Sequence, residues 1–472
     1  MRKTKIICTL GPATDSPEVL ENMILSGMNV ARFNFSHGTH EEQLQRMNRI
    51  KEIRAKLGVP VAIVLDTKGP EIRLKKFEDG EAFLEKGSFF TLTNKDVAGN
   101  KDICSITYEN LPKEVSVGGK ILLDDGFISL EIEAISETDI TCRVLNSGKI
   151  KNNKGVNLPD VKLAIPYISE QDRRDILFGV ENNVEYIACS FVRSADDIHQ
   201  VRKLMSDHGG RYIRIIAKIE NSEGVDNTQE IIDAADGVMV ARGDLGVEMD
   251  FAQIPIIQKE LISRCYSCGK PAIIATHMLE SMITNTLPTR AETSDVANAV
   301  FDGASAIMLS GETAVGIDPA NAVKTMAAIA ERTEERISYG KRFYSHSAEA
   351  QRLSIPDSVS HAACSAAIDI GAKAIITVTK SGETARFISK WRPLVPIIAC
   401  AVNEHAYHQL ALSWGVIPLI MEEVKTTDEL LTRSLKVAQT TGILEKGDYV
   451  ITTAGVPVGI AGNTNILKAS IV

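Results

Sequence analysis

Residues 213–244 read IRIIAKIENSEGVDNTQEIIDAADGVMVARGD and contain the pattern on which the fold prediction depends. Two short apolar runs, 213–219 and 237–242, flank a polar segment with the periodicity of an amphipathic helix. Short continuous apolar runs are typical of parallel strands that are buried on both faces of a sheet. The stretch therefore predicts a strand, a helix and a second strand parallel to the first.

The same alternation recurs along the first two-thirds of the chain. The apolar runs are 5–10, 30–35, 61–66, 186–191, 213–219, 237–242, 272–276 and 306–310. Segments with helical periodicity lie between them, among them 18–26, 41–57, 198–205 and 256–265. Eight strands, each followed by a helix, predict an α/β protein with a (β/α)8 TIM barrel. A doubly wound open sheet is the alternative that the pattern alone leaves open.

One interval, residues 70–164, lacks the helical period. It contains alternating segments at 88–93, 120–123, 127–134 and 140–145, punctuated by turn signals such as Asp125-Gly126. We predict a small inserted β-barrel domain, which can act as a lid because loops at the carboxyl end of a barrel surround its active site. The catalytic barrel then comprises 1–69 and 165–340.

The remainder of the chain predicts a third domain, 341–472. Residues 341–353 are polar and are interpreted as an irregular linker. Helical and apolar segments then alternate again, which predicts a separate α/β domain. The predicted strands are 374–379, 396–402, 416–420, 449–454 and 465–471, and the predicted helices are 358–370, 384–391, 404–414 and 427–442.

Composition excludes several classes of protein. Apolar residues make up 44% and charged residues 24%, which argues against a disordered or low-complexity chain. The formal charge of −9 does not favour a nucleic-acid or membrane-surface binder. Cys265 and Cys268 form a C-x-x-C without a second pair, so we interpret them as two thiols one helical turn apart. Scattered cysteines and the lack of a long apolar run favour a reducing, cytoplasmic setting.

Polar side chains follow most of the predicted barrel strands, where a TIM barrel carries its chemistry. Lys218 and Glu220 are two residues apart, so they share one face of their strand. They form either an ion pair or a site in which Glu220 binds a divalent metal and Lys218 neutralises a phosphoryl group. Asp244 supplies a second carboxylate, and Mg2+ needs few protein ligands. The other strand-end residues are Arg32, Asn34, Ser36, Asp66, Thr67, Arg242, Gly243, Thr276, Ser310 and Glu312.

Two further groups offer less specific signals. Asn34, Ser36, Asp66 and Thr67 provide only oxygen ligands with one formal charge, which suits a large monovalent cation better than zinc or copper. The glycines of 241–246 allow backbone N–H groups to approach an anion, although glycine also serves ordinary turns.

Several segments together resemble the pyruvate kinase family, and the resemblance runs from Met1 to Val472. They are 5–13 (KIICTLGPA), 28–38 (MNVARFNFSHG), 65–73 (LDTKGPEIR), 153–159 (NKGVNLP), 218–221 (KIEN), 239–248 (MVARGDLGVE), 288–292 (PTRAE) and 308–314 (MLSGETA). The resemblance implies transfer of a phosphoryl group from phosphoenolpyruvate to ADP, the final step of glycolysis. It also implies a homotetramer.

The resemblance assigns roles position by position. Arg32 and Lys218 would hold the phosphoryl group, and Thr276, with Ser310 nearby, would assist protonation of the enolate. Glu220 and Asp244 would bind Mg2+ or Mn2+, and the backbone of Gly243 and Asp244 would receive the substrate carboxylate. The remaining assignments are K+ for Asn34, Ser36, Asp66 and the Thr67 carbonyl, and the nucleotide for Asn34, His37, Arg73 and Lys154. Glu71 resembles the form of the family that requires K+.

A phosphorylated effector is expected in the third domain. Hydroxyls and backbone N–H groups at a helix start make a phosphate cradle, for which the alternative is an ordinary capped helix. The candidate residues are Thr379, Lys380, Ser381, Gly382 and Thr384. The loop 455–462 lacks the Trp or Arg of animal fructose 1,6-bisphosphate sites, so fructose 1,6-bisphosphate, AMP and ribose 5-phosphate all remain candidates.

There are two departures from the family pattern. His277 stands where the family commonly has Gln, and the chain ends without the extra C-terminal domain that some bacterial members carry. Two other functions remain to be weighed: a metal-dependent aldolase or mutase acting on phosphoenolpyruvate or pyruvate, and a non-catalytic effector-binding protein. Arg73 and Lys154 argue against the first, and the complete set of catalytic residues argues against the second.

Overall fold

The computed structural model describes residues 1–159, 161–349, 353–459 and 462–472. Eight parallel strands close into a barrel in which each strand pairs with its neighbour in chain order, and the last pairs with the first. The TIM-barrel prediction is confirmed and the open sheet is excluded. The barrel strands are Lys5–Thr9, Val30–Asn34, Ala62–Asp66, Tyr186–Cys189, Arg214–Ile219, Gly237–Ala241, Ala272–Ala275 and Ala306–Leu309.

Helices surround the barrel and bury one face against it. Alternate strand residues such as Ile7, Val64 and Ile216 fill the barrel interior, and residues such as Ile6, Ile63 and Ile215 pack against the helices. The helices are Pro17–Leu25, His40–Leu57, Glu170–Glu181, Ala195–Asp207, Ser222–Asp226, Thr228–Ala234, Arg242–Glu248, Ile254–Cys268, Arg290–Asp302, Gly311–Ala314 and Pro319–Glu334, with 3-10 turns at Pro12–Thr14 and Glu280–Ile283.

Local signals set several of these boundaries. Ser16 occupies the N-cap position of the helix that begins at Pro17, where a missing N–H costs nothing, although its side chain makes no capping hydrogen bond. Thr39 and Glu42 form a capping box at the start of His40–Leu57, and Gly58, with φ of 64°, ends that helix in the left-handed conformation.

The interval after the third barrel strand forms two antiparallel-rich sheets with their own apolar core, which confirms its predicted all-β character. The predicted closed β-barrel is wrong for the described residues, because the strands divide into a six-stranded and a two-stranded sheet. In one sheet the order is Val156–Asn157, Lys120–Leu123, Ile128–Ile135, Asp139–Val144, Phe89–Thr93 and Ile103–Ser105. The other pairs Gly148–Lys151 with Glu81–Leu84, and a short helix spans Leu111–Glu114.

The predicted irregular linker is wrong over residues 341–349, because a helix spans Tyr339–Glu349. Tyr339 and Phe343, one helical turn apart, are both buried, and the Phe343 ring lies 6.1 Å from that of Trp391 and 5.0 Å from that of His361. Two aromatic anchors at this spacing outweigh the polar composition of the segment. The rest of the predicted linker that precedes Leu353, residues 350–352, lies outside the described residues.

The C-terminal domain is a five-stranded sheet in the order Val416–Ile420, Ile397–Ala401, Ala374–Thr379, Tyr449–Gly455 and Thr464–Ile471, the last strand antiparallel. Its helices are Ile355–Asp369, Glu383–Lys390, Glu404–Gln409 and Thr427–Gln439, with a 3-10 turn at Leu410–Leu412.

This domain covers the amino-terminal end of the barrel. Ala411 and Leu412 complete the core at that end, and Lys5 Nζ donates to the Val416 carbonyl at 2.7 Å. The opposite, carboxyl end stays available for a site. In the part of the chain that the structure describes, no helix is long and apolar enough to cross a membrane.

Candidate active site

A cleft of about 660 Å³ lies between the carboxyl ends of the barrel strands and the inserted domain. Its size is typical of small-molecule sites. The barrel contributes Arg32, Lys218 and Asp244 to its walls, and the inserted domain contributes Lys154 and Asp125. The predicted site residues that also line it are Asn34, Ser36, His37, Arg73 and Glu220, so nine of the residues chosen from sequence meet in one cleft.

Lys218 lies at the centre of an ionic cluster in this cleft. Its Nζ is 2.9 Å from Glu220 Oε1 and 3.1 Å from Asp66 Oδ1. Arg32 Nε donates to the other oxygen of Asp66 at 2.6 Å. All four side chains are buried. The expected placement of Lys218 and Glu220 on one face is confirmed, and they do form an ion pair, but they form it on the wall of the cleft.

Two residues that hold this cluster were missed from the sequence. Ser190 Oγ accepts a hydrogen bond from Lys218 Nζ at 2.7 Å and donates to the Thr67 carbonyl at 2.7 Å. Thr9 Oγ1 accepts from Arg32 Nη1 at 2.9 Å. Both follow or end barrel strands, so the strand-end rule, applied to every strand, would have found them.

The cluster shifts the pKa values of its members. Burial alone raises the pKa of Asp66, but Arg32 and Lys218 outweigh it and hold that pKa below its usual range. Burial likewise works to lower the pKa of Lys218, and attraction to Asp66 and Glu220 outweighs it, so the pKa is raised. Burial, helped by the charges of Asp244 and Asp66, raises the pKa of Glu220 to about 8 despite Lys218. Burial is the largest cause of this shift, and the two neighbouring carboxylates add to it.

The donor set fits a hard divalent cation. Asp244 influences the pKa of Glu220, and both carboxylates line the cleft. Asp125 of the inserted domain, also missed from the sequence, has a pKa raised by burial and then by Asp244. Among the described residues there is no cluster of three or more His, Cys, Asp or Glu side chains of the kind that encloses a metal. An ion held by two carboxylates and substrate oxygens, as Mg2+ often is, needs no such enclosure.

The four residues expected to hold K+ also lie together. Asn34 and Asp66 are paired in register on neighbouring strands, and Thr67 follows Asp66. Asn34 and Ser36 line the cleft, and Asn34 Oδ1 accepts from the Ser36 N–H at 3.1 Å. Their atoms offer oxygen donors only, which fits a monovalent cation.

Thr276, Gly243 and Ser310 follow the carboxyl ends of their barrel strands and are not among the residues that line the cleft. The Gly243 N–H donates to Thr276 Oγ1 at 2.8 Å, and the hydroxyl donates to the Ala275 carbonyl at 2.6 Å. Thr276 and His277 have φ of 68° and 55°, a left-handed conformation that costs side-chain-bearing residues energy. Arg242 steadies this turn by donating to the Thr276 carbonyl at 2.7 Å while paired with Asp295.

The predicted nucleotide-binding cations are already engaged. Arg73 Nη2 lies 2.6 Å from Glu71, and Nη1 donates to the Asn153 carbonyl at 2.9 Å. Lys154 Nζ lies 2.8 Å from Asp124 Oδ1. Both pairs are half-buried at the rim, where ion pairs are weak and can exchange partners.

The candidate effector residues lie between the strand Ala374–Thr379 and the helix Glu383–Lys390. Thr379 Oγ1 accepts from the Gly382 N–H at 2.9 Å, and Gly382 has φ of 81°. Lys380 Nζ is 3.0 Å from Glu423 Oε1. Thr379, Lys380 and Thr384 line a cavity of about 50 Å³, whereas Ser381 and Gly382 do not. The predicted neighbouring loop, 455–462, includes residues 460 and 461, which lie outside the described residues.

Comparison with known proteins agrees with this arrangement. Residues 1–323 match the family model "Pyruvate kinase, barrel domain", and residues 357–469 match "Pyruvate kinase, alpha/beta domain". The pyruvate kinase of Clostridium acetobutylicum is 46% identical over all of both chains, and that of Geobacillus stearothermophilus is 49% identical over all of this chain and 80% of its own. A crystal structure of a pyruvate kinase from Cryptosporidium parvum superposes with a TM-score of 0.95 at 40% identity, covering 100% of this chain and 96% of that one. The chain therefore belongs to the pyruvate kinase family.

Proposed function

We propose that the chain transfers the phosphoryl group of phosphoenolpyruvate to ADP, giving pyruvate and ATP. The observation that carries the proposal is the buried cluster of Arg32, Asp66, Lys218 and Glu220 on the wall of a cleft of about 660 Å³. Membership of the pyruvate kinase family supports the same reaction. The cluster supplies cations at fixed positions, which is what phosphoryl transfer needs.

Binding and orientation fall to the cations of the barrel. Arg32 and Lys218 hold the phosphoryl oxygens, and their partners Thr9, Asp66 and Ser190 fix the two side chains before substrate arrives. Backbone N–H groups of Gly243 and Asp244 receive the substrate carboxylate. The Gly243 N–H donates to Thr276 Oγ1 in this structure, so substrate binding exchanges that partner.

In the transfer step the bond between phosphorus and the enol oxygen breaks, and a bond forms between phosphorus and a terminal oxygen of the ADP β-phosphate. A loose transition state spreads negative charge over the transferred oxygens, and Lys218 stabilises that charge. Arg73, His37, Asn34 and Lys154 position the nucleotide from the rim of the cleft.

Glu220 and Asp244 are the residues that would hold Mg2+ or Mn2+, and Asn34, Ser36, Asp66 and Thr67 those that would hold K+. When bound, these ions supply positive charge that neutralises the phosphoryl oxygens and the carboxylates around them. The charges of Asp244 and Asp66 both act on Glu220, which favours a cation beside these carboxylates.

The enolate left after transfer takes up a proton at its methylene carbon and becomes pyruvate. Thr276 is the residue beside that carbon in this proposal, with Ser310 behind it. The hydroxyl proton of Thr276 rests on the Ala275 carbonyl and turns towards the substrate during relay. A donor of this kind suits protonation of an enolate, which needs no strong acid.

Regulation and assembly follow the same proposal. A phosphorylated effector binds at Thr379, Lys380, Ser381, Gly382 and Thr384, and the chain forms a homotetramer in the cytoplasm. Geometry supports the effector site in part, since three of those residues line one small cavity.

The test is pyruvate formation from phosphoenolpyruvate with and without ADP, in Mg2+ and K+. Pyruvate that appears only with ADP supports the kinase. Turnover of phosphoenolpyruvate without ADP would favour an aldolase or mutase. The absence of turnover under any of these conditions, with fructose 1,6-bisphosphate, AMP or ribose 5-phosphate added, would favour a non-catalytic effector-binding protein.

A further inference from the structure

A second cavity, of about 30 Å³, lies between the amino-terminal end of the barrel and the C-terminal domain. Tyr186 and Arg214, the first residues of two barrel strands, form one wall. Arg386, Arg392 and Trp414 of the C-terminal domain form another. The cavity is at the opposite end of the barrel from the proposed active site.

Positive charge predominates around this cavity. Its charged lining residues are Arg214, Lys270, Arg386, Lys390, Arg392 and one carboxylate, Asp236. Asp236 forms ion pairs with Arg214 and Arg202, each at 3.0 Å. Lys390 is paired with Asp357 at 2.7 Å, and Lys270 donates to three backbone carbonyls. Lys270, Arg386 and Arg392 therefore form no ion pair with a carboxylate among the described residues, and of these three only Lys270 has its donors taken up by three carbonyls.

Arg392 uses one of its three guanidinium nitrogens in hydrogen bonds with the described residues. Its Nη2 donates to Ser305 Oγ at 2.8 Å and to the Gly303 carbonyl at 3.1 Å. Its guanidinium lies 4.5 Å from the Trp414 ring centroid. Its side chain is buried, and its Nε and Nη1 have no hydrogen-bond partner in the part of the chain that the structure describes.

Arg386 also has a guanidinium nitrogen that lacks a hydrogen-bond partner among the described residues. Its Nη2 donates to the Ser381 carbonyl at 2.5 Å, and its Nη1 is buried without a partner among the described residues. Burial lowers the pKa of Arg386 to about 9 and that of Arg392 to about 10. A buried, unpaired N–H of a charged group costs more than a made hydrogen bond gains.

We propose that this cavity binds a tetrahedral oxyanion of the size of inorganic phosphate, with Arg386 and Arg392 as its donors. A volume of about 30 Å³ exceeds what one water needs, roughly 10–15 Å³, and admits the oxygen atoms of one such anion. Guanidinium groups match the geometry of phosphate oxygens and remain charged at neutral pH. The anion is either free phosphate or the head of a phosphate monoester.

The occupant would lie at the boundary of the two domains. Arg392 already contacts Ser305 of the barrel, and Arg386 contacts the carbonyl of Ser381 in the candidate effector loop. Both donors belong to the C-terminal domain, and Arg214 and Lys270 of the barrel line the same cavity. The proposal does not depend on the proposed activity, and the site is separate from Lys218 and from the cavity lined by Lys380.

Crystals of the full chain, grown without phosphate or sulfate and soaked in sodium selenate, locate the anion directly. An anomalous selenium peak within hydrogen-bond distance of Arg386 or Arg392 is expected. A cavity that holds only water, with or without selenate elsewhere in the molecule, would overturn the proposal. This measurement uses the unsubstituted chain, so it does not depend on whether a variant folds.

Thermal unfolding in inorganic phosphate, against chloride at equal ionic strength, tests the site in solution. Phosphate is expected to raise the unfolding temperature of the wild type. In Arg392→Gln and Arg386→Gln, the dissociation constant of phosphate obtained from this stabilisation is expected to rise by about tenfold or more. The control is Arg332→Gln, since Arg332 is exposed and paired with Glu335 on a helix surface. Protection that is unchanged in both test variants would contradict the assignment. Glycerol 3-phosphate, run in parallel, distinguishes the head of an ester from the free ion.

Discussion

Replacing Lys218 by Met should abolish most of the activity while leaving the binding of phosphoenolpyruvate largely intact. The change removes the ammonium that contacts both Asp66 and Glu220, at 3.1 and 2.9 Å. Arg32 remains beside Asp66 to hold the phosphoryl group in the ground state. Because Lys218 acts on charge that develops during transfer, its loss falls on kcat more than on KM.

The substitution has two effects, one on kcat and one on the stability of the fold. The loss of one preorganised charged donor costs about 10²–10³ in kcat, or roughly 3–4 kcal/mol of transition-state stabilisation. Breaking a buried ion pair also destabilises the fold, by about 3–5 kcal/mol in general. Here the second effect is at the lower end, since Asp66 keeps Arg32 and Glu220 keeps the Phe191 N–H at 2.7 Å. Unfolding lowers the amount of active enzyme, whereas the catalytic effect lowers kcat of the folded fraction.

The assay measures kcat and KM for phosphoenolpyruvate at saturating ADP, normalised to folded protein by circular dichroism. Lys203→Met is the matched control, because Lys203 is exposed and paired with Asp207 at 2.8 Å on a helix surface. It is expected to retain full activity. A Lys218→Met enzyme whose kcat stays within about threefold of the wild type would refute the reasoning about transition-state charge.

Three other predictions concern separate parts of the molecule. Replacing K+ by Na+ should lower kcat by about tenfold or more, since Asn34, Ser36, Asp66 and Thr67 form an oxygen-only set; equal rates in the two salts would contradict it. Thr276→Val should lower kcat and deuterium uptake into the methyl group of pyruvate by about 10² or more, with Thr276→Ser retaining most of both; unchanged uptake in the Val variant would exclude Thr276 from the relay. Burial lowers the pKa of His405 to about 4, from about 6.5 in an unfolded chain. Its neutral form therefore stabilises the fold above pH 6.5, and that stability is lost as the pH falls towards 4. In urea unfolding, His405→Gln should reduce the pH slope between those values by up to one proton, whereas His199→Gln, at an exposed position, should not.

Much of the fold could be predicted because burial of apolar strands leaves a direct mark on sequence. The run at 213–219 appears as the strand Arg214–Ile219, and the strand 416–420 has the predicted bounds. The helix Tyr339–Glu349 escaped prediction because its two buried aromatic side chains, Tyr339 and Phe343, are few among polar residues. Their rings pack against Trp414 and Trp391 of the C-terminal domain, and a sequence alone does not show which partners such a pair will contact.

Some residues of the candidate site could likewise be predicted from the sequence, and others could not. Lys218, Glu220 and Asp244 were predictable because polar residues at the end of an apolar strand stand out. Ser190 and Thr9 are small hydroxyl residues whose role is to bond the charged side chains, so they stand out only when the strand-end rule is applied to every strand. Asp125 could not be placed from sequence, since its proximity to Asp244 depends on how the inserted domain folds over the barrel.

The most direct test of the proposed activity follows the phosphoryl group itself. Phosphoenolpyruvate that carries radioactive phosphorus is incubated with the protein, ADP, Mg2+ and K+, and the label is counted in ATP and in inorganic phosphate. We predict that one label enters the γ-position of ATP for every pyruvate formed, and that none moves without ADP. Pyruvate released with the label in inorganic phosphate, or with no ATP formed, would contradict the account.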